Sequence, residues 1–525
     1  MYAKSNTMYH KLLKRCKCFM STQVKREKEF KWIEPVGTDT GIKLYNTVTK
    51  TKVPLILRRE GFLTWYMCGP TVYDSAHIGH AIAYVKSDII QRILSDYFNI
   101  HTLVIMGITD IDDKIIRRSI KEGKDYRELS RFYEKEFFDD MRKLNVKAPY
   151  LSCRVTEYIP QIIKFISDIL AKGGAYVASN GSVYFDIMSY NSYNKYGKLS
   201  TPFADSTTHP NKRTSLDFAL WKAAKDNEPY WESPWGRGRP GWHIECSAMA
   251  SAIFGKTIDI HSGGIDLIFP HHENEEAQSC CYHTVEQWVN YWLHSGHLCL
   301  NDIKMSKSLQ NTISIQQFLK KHTANHMRML CLLSNYRNNI IYSDEVIDHA
   351  VNITNKIENF INECNNYVTG KLNSGNIDEA ALIHNLHETK QIVHMALTND
   401  FNTAQALHAI IKLVNIGNKM LFENHSIHND KGTAAIAAVS VYISNILSCF
   451  GISQSTSTMQ NQNIKDIIEH FVEFRSAVRN RALEQKPRDE VLLLACDTVR
   501  KNLHTCGIVV KDRKDLSTWA VQINS

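Results

Sequence analysis

Two histidines, His77 and His80, close the stretch Thr64-Trp-Tyr-Met-Cys-Gly-Pro-Thr-Val-Tyr-Asp-Ser-Ala-His-Ile-Gly-His80. Imidazoles at a helix start sit beside free backbone N–H groups and the positive end of the helix dipole, which together favour a phosphate. Other chemistry-bearing residues are scattered. Asp110, Asp112 and Asp113 are three acids that either hold a magnesium ion or shape a site floor through hydrogen bonds. Cys68 and Cys246 are too far apart for any local metal pattern, and a lone buried cysteine usually behaves as a small apolar residue. His271 and Glu275 stand at i and i+4, on one face of a helix. His272 and Glu276 share that spacing on a neighbouring face, so helix geometry does not choose between the pairs. Lys304-Met-Ser-Lys-Ser308, taken alone, reads as an exposed loop.

The elements that must position the histidines follow from periodicity. Leu63 to Cys68 is a continuous apolar run of the kind a buried strand needs, while Ile78, Ile82, Val85 and Ile89 recur at helical spacing. Gly69-Pro70 is expected to end the strand. A second apolar run, Leu103-Val-Ile-Met106, completes a βαβ unit of the parallel, nucleotide-binding kind. The three aspartates then fall at the carboxyl edge of that second strand, where α/β sites gather.

His77-Ile-Gly-His80 resembles the first signature of the class I aminoacyl-tRNA synthetases, and Lys304-Met-Ser-Lys-Ser308 resembles the second, in the right order. The flanking segments Tyr66-Met-Cys-Gly-Pro-Thr-Val-Tyr-Asp, Gly241-Trp-His-Ile-Glu-Cys-Ser-Ala-Met and Gly263-Gly-Ile-Asp-Leu-Ile-Phe-Pro-His-His-Glu-Asn-Glu275 narrow the resemblance to cysteinyl-tRNA synthetase. It runs from about Lys43 to the C-terminus.

The resemblance implies an α/β, Rossmann-like parallel-sheet catalytic domain with an insertion, followed by all-α tRNA-binding domains. It implies ATP, L-cysteine and tRNA(Cys) as partners, and cysteinyl-adenylate as the intermediate. His77 and His80 would then serve the nucleotide and α-phosphate, and Lys307 with Lys304 the departing pyrophosphate. Gly263 and Gly264 would border the adenosine, where the lack of a Cβ lets backbone approach closely. Trp242 and Asp266 become candidates for the cysteine pocket, with Asp266 facing the ammonium. The family's metal ligands map onto Cys68, Cys246, His271 and Glu275, implying one Zn2+ per chain. Zinc prefers thiolate to hydroxyl, so an open coordination position separates cysteine from serine, which an apolar pocket does poorly. Mg2+ is expected with ATP. The resemblance further implies a pyridoxal-phosphate-dependent cysteine persulfide side activity, using Lys114 in Lys114-Ile-Ile-Arg-Arg118 and the lysines of the second signature. Two rivals are a ligase that passes activated cysteine to a small amine and a degenerate tRNA-binding protein. The first would lack the long helical C-terminal region, and the second should have lost a signature residue.

Composition is ordinary for a globular protein: 525 residues, 43% hydrophobic and 22% charged. The net charge of +8 lies almost wholly in residues 1–26, which carry seven Lys/Arg and no acid. Such a basic, acid-free start with no long apolar core suits a mitochondrial transit peptide, and hence a matrix protein, better than a secretory signal. Thirteen cysteines without regular spacing do not form a disulfide framework. The uncharged Thr433 to Phe450 has Ser440, Ser444, Asn445 and Ser448 on one stripe, which fits a buried amphipathic helix and not a membrane span. The expected organisation is a leader at 1–27, catalytic halves at 43–120 and 241–325 split by an insertion at 121–240, a helical domain at 326–450 and an anticodon-side helical segment at 464–525. From Arg475 to Ser525 ten Lys/Arg stand against six Asp/Glu, an excess that phosphate backbones reward. No membrane partner and a monomer are expected.

Overall fold

The computed structural model describes residues 30–191, 195–203, 210–300, 303–304, 312–372, 377–422, 432–453, 461–512 and 517–521, and divides along the chain into two units, 1–453 and 454–525. The expected leader and Lys307 lie outside the described residues, as does most of the second signature.

An antiparallel pair, β1 (Thr38–Asn46) and β2 (Thr51–Leu57), precedes the five-stranded parallel sheet on which the larger unit is built. The strands of that sheet are β3 (Phe62–Thr71), β4 (His101–Thr109), β5 (Leu151–Arg154), β10 (Ile258–Gly264) and β11 (Val289–Ser295), in the spatial order β11-β10-β3-β4-β5. Trp65, Tyr66, Ile260 and Tyr291 are fully buried within it. Both faces are covered, which is why the central β3 and β4 read as apolar runs without alternation. Helix α1 (Ile78–Arg92) joins β3 to β4, with Ile78, Ile82 and Val85 fully buried and Ile89 nearly so. The strand does not stop at Gly69-Pro70: β3 continues to Thr71, with an irregular register against β4 after Cys68.

The strand order fixes where a site can form. β3 pairs on one side with β4, which follows it in the chain, and on the other with β10, which comes much later. The chain therefore reverses direction across the sheet between β3 and β10, opening a crevice at their carboxyl ends. Cys68, His77 and the Gly263-Gly264 pair all fall there.

The stretch expected as an insertion, 121–240, contributes to the main sheet. After α2 (Asp113–Glu122) and α3 (Tyr126–Lys143) it supplies the edge strand β5, then α4 (Ile159–Ala171). Only the later part leaves the sheet, as an antiparallel meander of β6 (Ala175–Val177), β7 (Val183–Phe185), β8 (Phe218–Ala223) and β9 (Gly238–Pro240) around the buried Trp221. α5 (Trp242–Phe254) follows directly. α6 (Glu273–His283) links β10 to β11, and Ser247, Ala248, Ala250 and Ala277 let α5 and α6 approach closely.

Beyond the sheet come β12 (Leu298–Leu300), β13 (Ile303–Lys304), α7 (Ala324–Leu332) and β14 (Ile340–Tyr342), then four long helices: α8 (Asp344–Val368), α9 (Glu379–Thr398), α10 (Thr403–Phe422) and α11 (Thr433–Cys449). On α11, Asn445 and Ser448 face solvent while Ile436, Val439, Ile443 and Ile446 are buried. Among the described residues no helix is long and apolar enough to cross a membrane. The smaller unit pairs α12 (Asn461–Glu484) and α13 (Glu490–Thr505) with a hairpin of β15 (Ile508–Asp512) and β16 (Ser517–Val521). Arg475, 2% exposed, holds it together through Asp512 at 2.6 Å and the Cys496 carbonyl at 2.8 Å. The hairpin is a strand pair where an all-helical end was expected.

Candidate active site and metal centre

The N-terminus of α1 is set by its own histidines. His77 is the N-cap: its Nδ1 accepts the Gly79 N–H at 3.1 Å, and His80 Nδ1 accepts the His77 N–H at 3.4 Å. The two rings stack with centroids 3.9 Å apart. They line a cavity of about 770 Å³ together with Gly69, Pro70, Gly263, Gly264, Asp266 and Trp242. A side chain at Gly263 would run into Leu267 Cδ1 at 2.7 Å, and one at Gly264 into Asp266 Oδ1 at 2.5 Å, so close backbone approach is built in at both positions. Asp266 is 3.6 Å from His297 across the same cavity. The backbone of Lys304 lies in β13, paired with Cys299 of β12.

The acids after β4 are spent within the protein. Asp110 accepts from Thr156 N and Oγ1, Asp112 caps α2, and Asp113 pairs with Lys222 at 2.8 Å and with Arg239. The hydrogen-bonding alternative is the one that the geometry favours over a magnesium site.

At the floor of the cavity four donor atoms converge. Cys68 comes from β3, Cys246 from α5, His271 from the turn into α6 and Glu275 from the first turn of α6, with their ligand atoms all within 4.8 Å of one another. The two sulfurs are 3.8 Å apart, Cys68 Sγ is 3.8 Å from Glu275 Oε1, and His271 Nε2 is 2.9 Å from the same oxygen. A tetrahedral ion with sulfur at about 2.3 Å requires a sulfur–sulfur edge of about 3.8 Å, so the pair fits zinc. Glu276, the alternative acid, points away: it takes Lys198 at 3.2 Å and the amide groups of Trp288 and Val289. The i/i+4 ambiguity is thus resolved by long-range partners.

Electrostatics prepare the donors. The Cys68 thiol donating to Cys246, aided by His271, outweighs burial and draws Cys246 down to about 6. Burial opposes ionisation of Glu275, yet the imidazoles of His261 and His271 hold it at about 2. A thiolate and a carboxylate are the anionic donors a divalent cation needs.

A second set, Cys68, His261, His272 and Glu275, also lies within ligand distance of itself. It has one sulfur instead of two. His261 Nε2 binds Glu275 Oε2 at 2.9 Å, and His272 Nδ1 is held by His294 at 2.8 Å, which in turn meets Thr47 Oγ1 at 3.1 Å. These groups orient the first set as a supporting shell. From α5, Trp242 stacks on His271 at 4.3 Å and His243 Nδ1 is 2.9 Å from His271 Nδ1. Sequence reasoning missed His261 and His294 as site residues and weighed His272 only as the alternative partner of Glu276. His261 and His294 lie inside strands buried on both faces, where the local pattern does not separate a site residue from a core residue.

Residues 56–352 match the family model of the class I (C) tRNA synthetase catalytic domain. A probable mitochondrial cysteine–tRNA ligase of Xenopus tropicalis is 45% identical, covering 93% of this chain and 91% of that protein. The chain belongs to the cysteine–tRNA ligase family. A cytoplasmic member from Dictyostelium discoideum is 39% identical, over 92% of this chain and 78% of that one, and a member from Encephalitozoon cuniculi is 38% identical over 91% and 98%. Among solved structures, Mycobacterium tuberculosis methionyl-tRNA synthetase bound by methionyl-adenylate superposes with a TM-score of 0.56 at 15% identity, covering 74% of this chain and 92% of that one. That likeness shows the class I synthetase fold.

Proposed function

We propose that this chain is a mitochondrial cysteine–tRNA ligase: it activates L-cysteine with ATP and transfers it to the 3′ end of tRNA(Cys). The observation that carries the reading is the convergence of Cys68, Cys246, His271 and Glu275 beneath the cavity rimmed by His77 and His80. In this reading His77 and His80, fixed at the start of α1, hold the α-phosphate as it becomes pentavalent, and the α1 dipole adds to their field. Lys304 and Lys307 neutralise the leaving pyrophosphate, Gly263 and Gly264 admit the adenosine, and Asp266 meets the cysteine ammonium. Trp242 and His243 hold the ring of His271 in place. A zinc ion held by Cys68, Cys246, His271 and Glu275 would bind the substrate thiolate in preference to a hydroxyl. Magnesium accompanies ATP. The basic first 26 residues act as a transit peptide to the matrix, and the protein works as a monomer. The pyridoxal-phosphate side activity draws on Lys114, which lines the same cavity and sits 5.4 Å from the Tyr73 ring.

Cys68→Ala and His271→Ala should each lose bound zinc and cysteine-dependent ATP–pyrophosphate exchange while ATP binding persists. Exchange at the wild-type rate in either variant would remove the metal assignment.

A further inference from the structure

A separate cavity, of about 360 Å³, is lined by residues of α1, α3 and the sheet strands β3, β4 and β5. Met67, Val104, Met106, Phe137 and Met141 form its walls, and all five are buried. Native interiors hold few voids larger than a water molecule, whereas small-molecule sites run from about 300 to 1,000 Å³. Three methionines line it beside the rings of Tyr84, Phe137 and Phe138. Thioethers adapt to an irregular guest and make favourable contacts with aromatic rings. An apolar cavity of about 150 Å³ is enough for benzene, so this one has room for about two fused rings.

The charges at the cavity are already matched inside the protein. Asp88 holds Arg92 at 2.8 Å and Arg328 at 2.6 Å, Lys147 reaches Asp96 at 3.0 Å, and Arg142 reaches Asp139 at 3.0 Å. A charged guest would be buried without a counter-ion of its own, which is costly. Gln91 and Ser152 also line the cavity, and among the described residues neither side chain has a hydrogen-bond partner. Arg142 and Ala148 are exposed, so the cavity opens to solvent there. Met67 and Tyr84 line the catalytic cavity as well. Met67 precedes Cys68 on β3, and Tyr84 Oη donates to the Cys68 carbonyl at 3.4 Å. A guest that shifts either wall residue therefore shifts Cys68, whose sulfur already stands 3.8 Å from that of Cys246, the spacing a zinc ion needs.

We propose that this cavity binds a neutral aromatic molecule of about two fused rings, with one hydrogen-bonding group for Gln91 or Ser152, and that its occupancy weakens cysteine binding through Met67 and Tyr84. The effect on cysteine rests on the ligase reading; the binding itself does not.

The test uses the full chain and two probes titrated by calorimetry, naphthol as the neutral ligand and naphthoate as its anionic counterpart. Naphthol should bind and naphthoate should bind more weakly. Ala148→Trp, at the exposed mouth, should abolish naphthol binding without changing the urea midpoint. Gln91→Leu combined with Ser152→Ala should weaken naphthol about fivefold, the value of one lost hydrogen bond. Saturating naphthol should raise the KM for cysteine in ATP–pyrophosphate exchange about fivefold or more in the wild-type protein and leave it unchanged in Ala148→Trp. No naphthol binding, or binding that survives Ala148→Trp, would overturn the proposal while leaving the ligase reading intact. Naphthoate binding as tightly as naphthol would mark an anion site and also overturn it. Binding with an unchanged KM for cysteine would overturn the coupling between the two cavities. Absence of exchange in the wild-type protein without naphthol would instead strike the ligase reading.

Discussion

Replacing Arg328 by leucine should destabilise the larger unit by about 3–5 kcal/mol, because one guanidinium joins three parts of it. Arg328 is fully buried on α7, and its Nη2 lies 2.6 Å from Asp88 Oδ2 on α1. Its Nε donates to the Leu144 carbonyl at 3.2 Å and its Nη1 to the Phe450 carbonyl at 3.1 Å; Nη2 also reaches Asn145 O. Removing one partner of a buried ion pair leaves an uncompensated charge. Here Arg92 still holds Asp88 at 2.8 Å, which pulls the ion-pair part towards the lower end of that range. The Leu144 and Phe450 carbonyls, stripped of a donor, add about 1 kcal/mol each wherever water does not reach them, while Arg92 Nη2 still donates to Asn145 O at 2.8 Å. Asp88→Asn keeps the acceptor for the Lys147 amide at 2.7 Å but leaves two guanidiniums facing a neutral group. The double variant should therefore cost about 1–3 kcal/mol less than the two single variants added together. Urea unfolding followed by tryptophan fluorescence reports this unit, since eight of the nine tryptophans precede Ser453. Exact additivity, or a loss below about 1 kcal/mol for Arg328→Leu, would refute the reasoning.

Two further substitutions follow from burial. Lys86 is 2% exposed, donates to the Gly296 and Asn338 carbonyls, and is lowered to about 8 by burial. The unfolded chain holds that proton up to about 10.4, so between these values it binds more protons and stability rises with pH, by at most roughly 3 kcal/mol. Lys86→Met should flatten the rise between pH 7.5 and 10 in urea titrations, and parallel wild-type and variant curves would contradict it. Gly417 on α10 has no room for a methyl group: a Cβ would stand 2.5 Å from Phe360 Cζ. Alanine favours a helix over glycine by about 1 kcal/mol, but overpacking costs about 1–3 kcal/mol. Gly417→Ala should therefore lower the thermal midpoint, and a raised midpoint would show that Phe360 yields.

The parts legible in the sequence are those set by local rules. A parallel strand covered on both faces has to be an apolar run, and α1 has to repeat its apolar residues at helical spacing, so β3, α1, β4 and the position of His77 could be read directly. Gly69-Pro70 looked like a stop, but an irregular register lets β3 run on to Thr71. β5 was hidden because four residues, Leu-Ser-Cys-Arg, carry too little pattern to mark an edge strand. The choice of His271 with Glu275 over His272 with Glu276 depends on Lys198, Trp288 and Val289, none of them local to the helix. His261 and His294 stand in strands buried on both faces, where no alternation distinguishes a site residue from a core residue. The hairpin of β15 and β16 needed its partner strand to be recognised, because Ile508-Val-Val is too short to declare itself alone.

ATP–pyrophosphate exchange with cysteine and with serine, before and after removal of bound metal, tests the central claim most directly. A pocket without a metal separates such near-isosteres by only about 10–200-fold, equivalent to about 1–3 kcal/mol. The account predicts a larger preference for cysteine in the metal-loaded protein, loss of exchange on chelation and its return on adding zinc. Cysteine-dependent exchange that survives complete removal of the metal would contradict it.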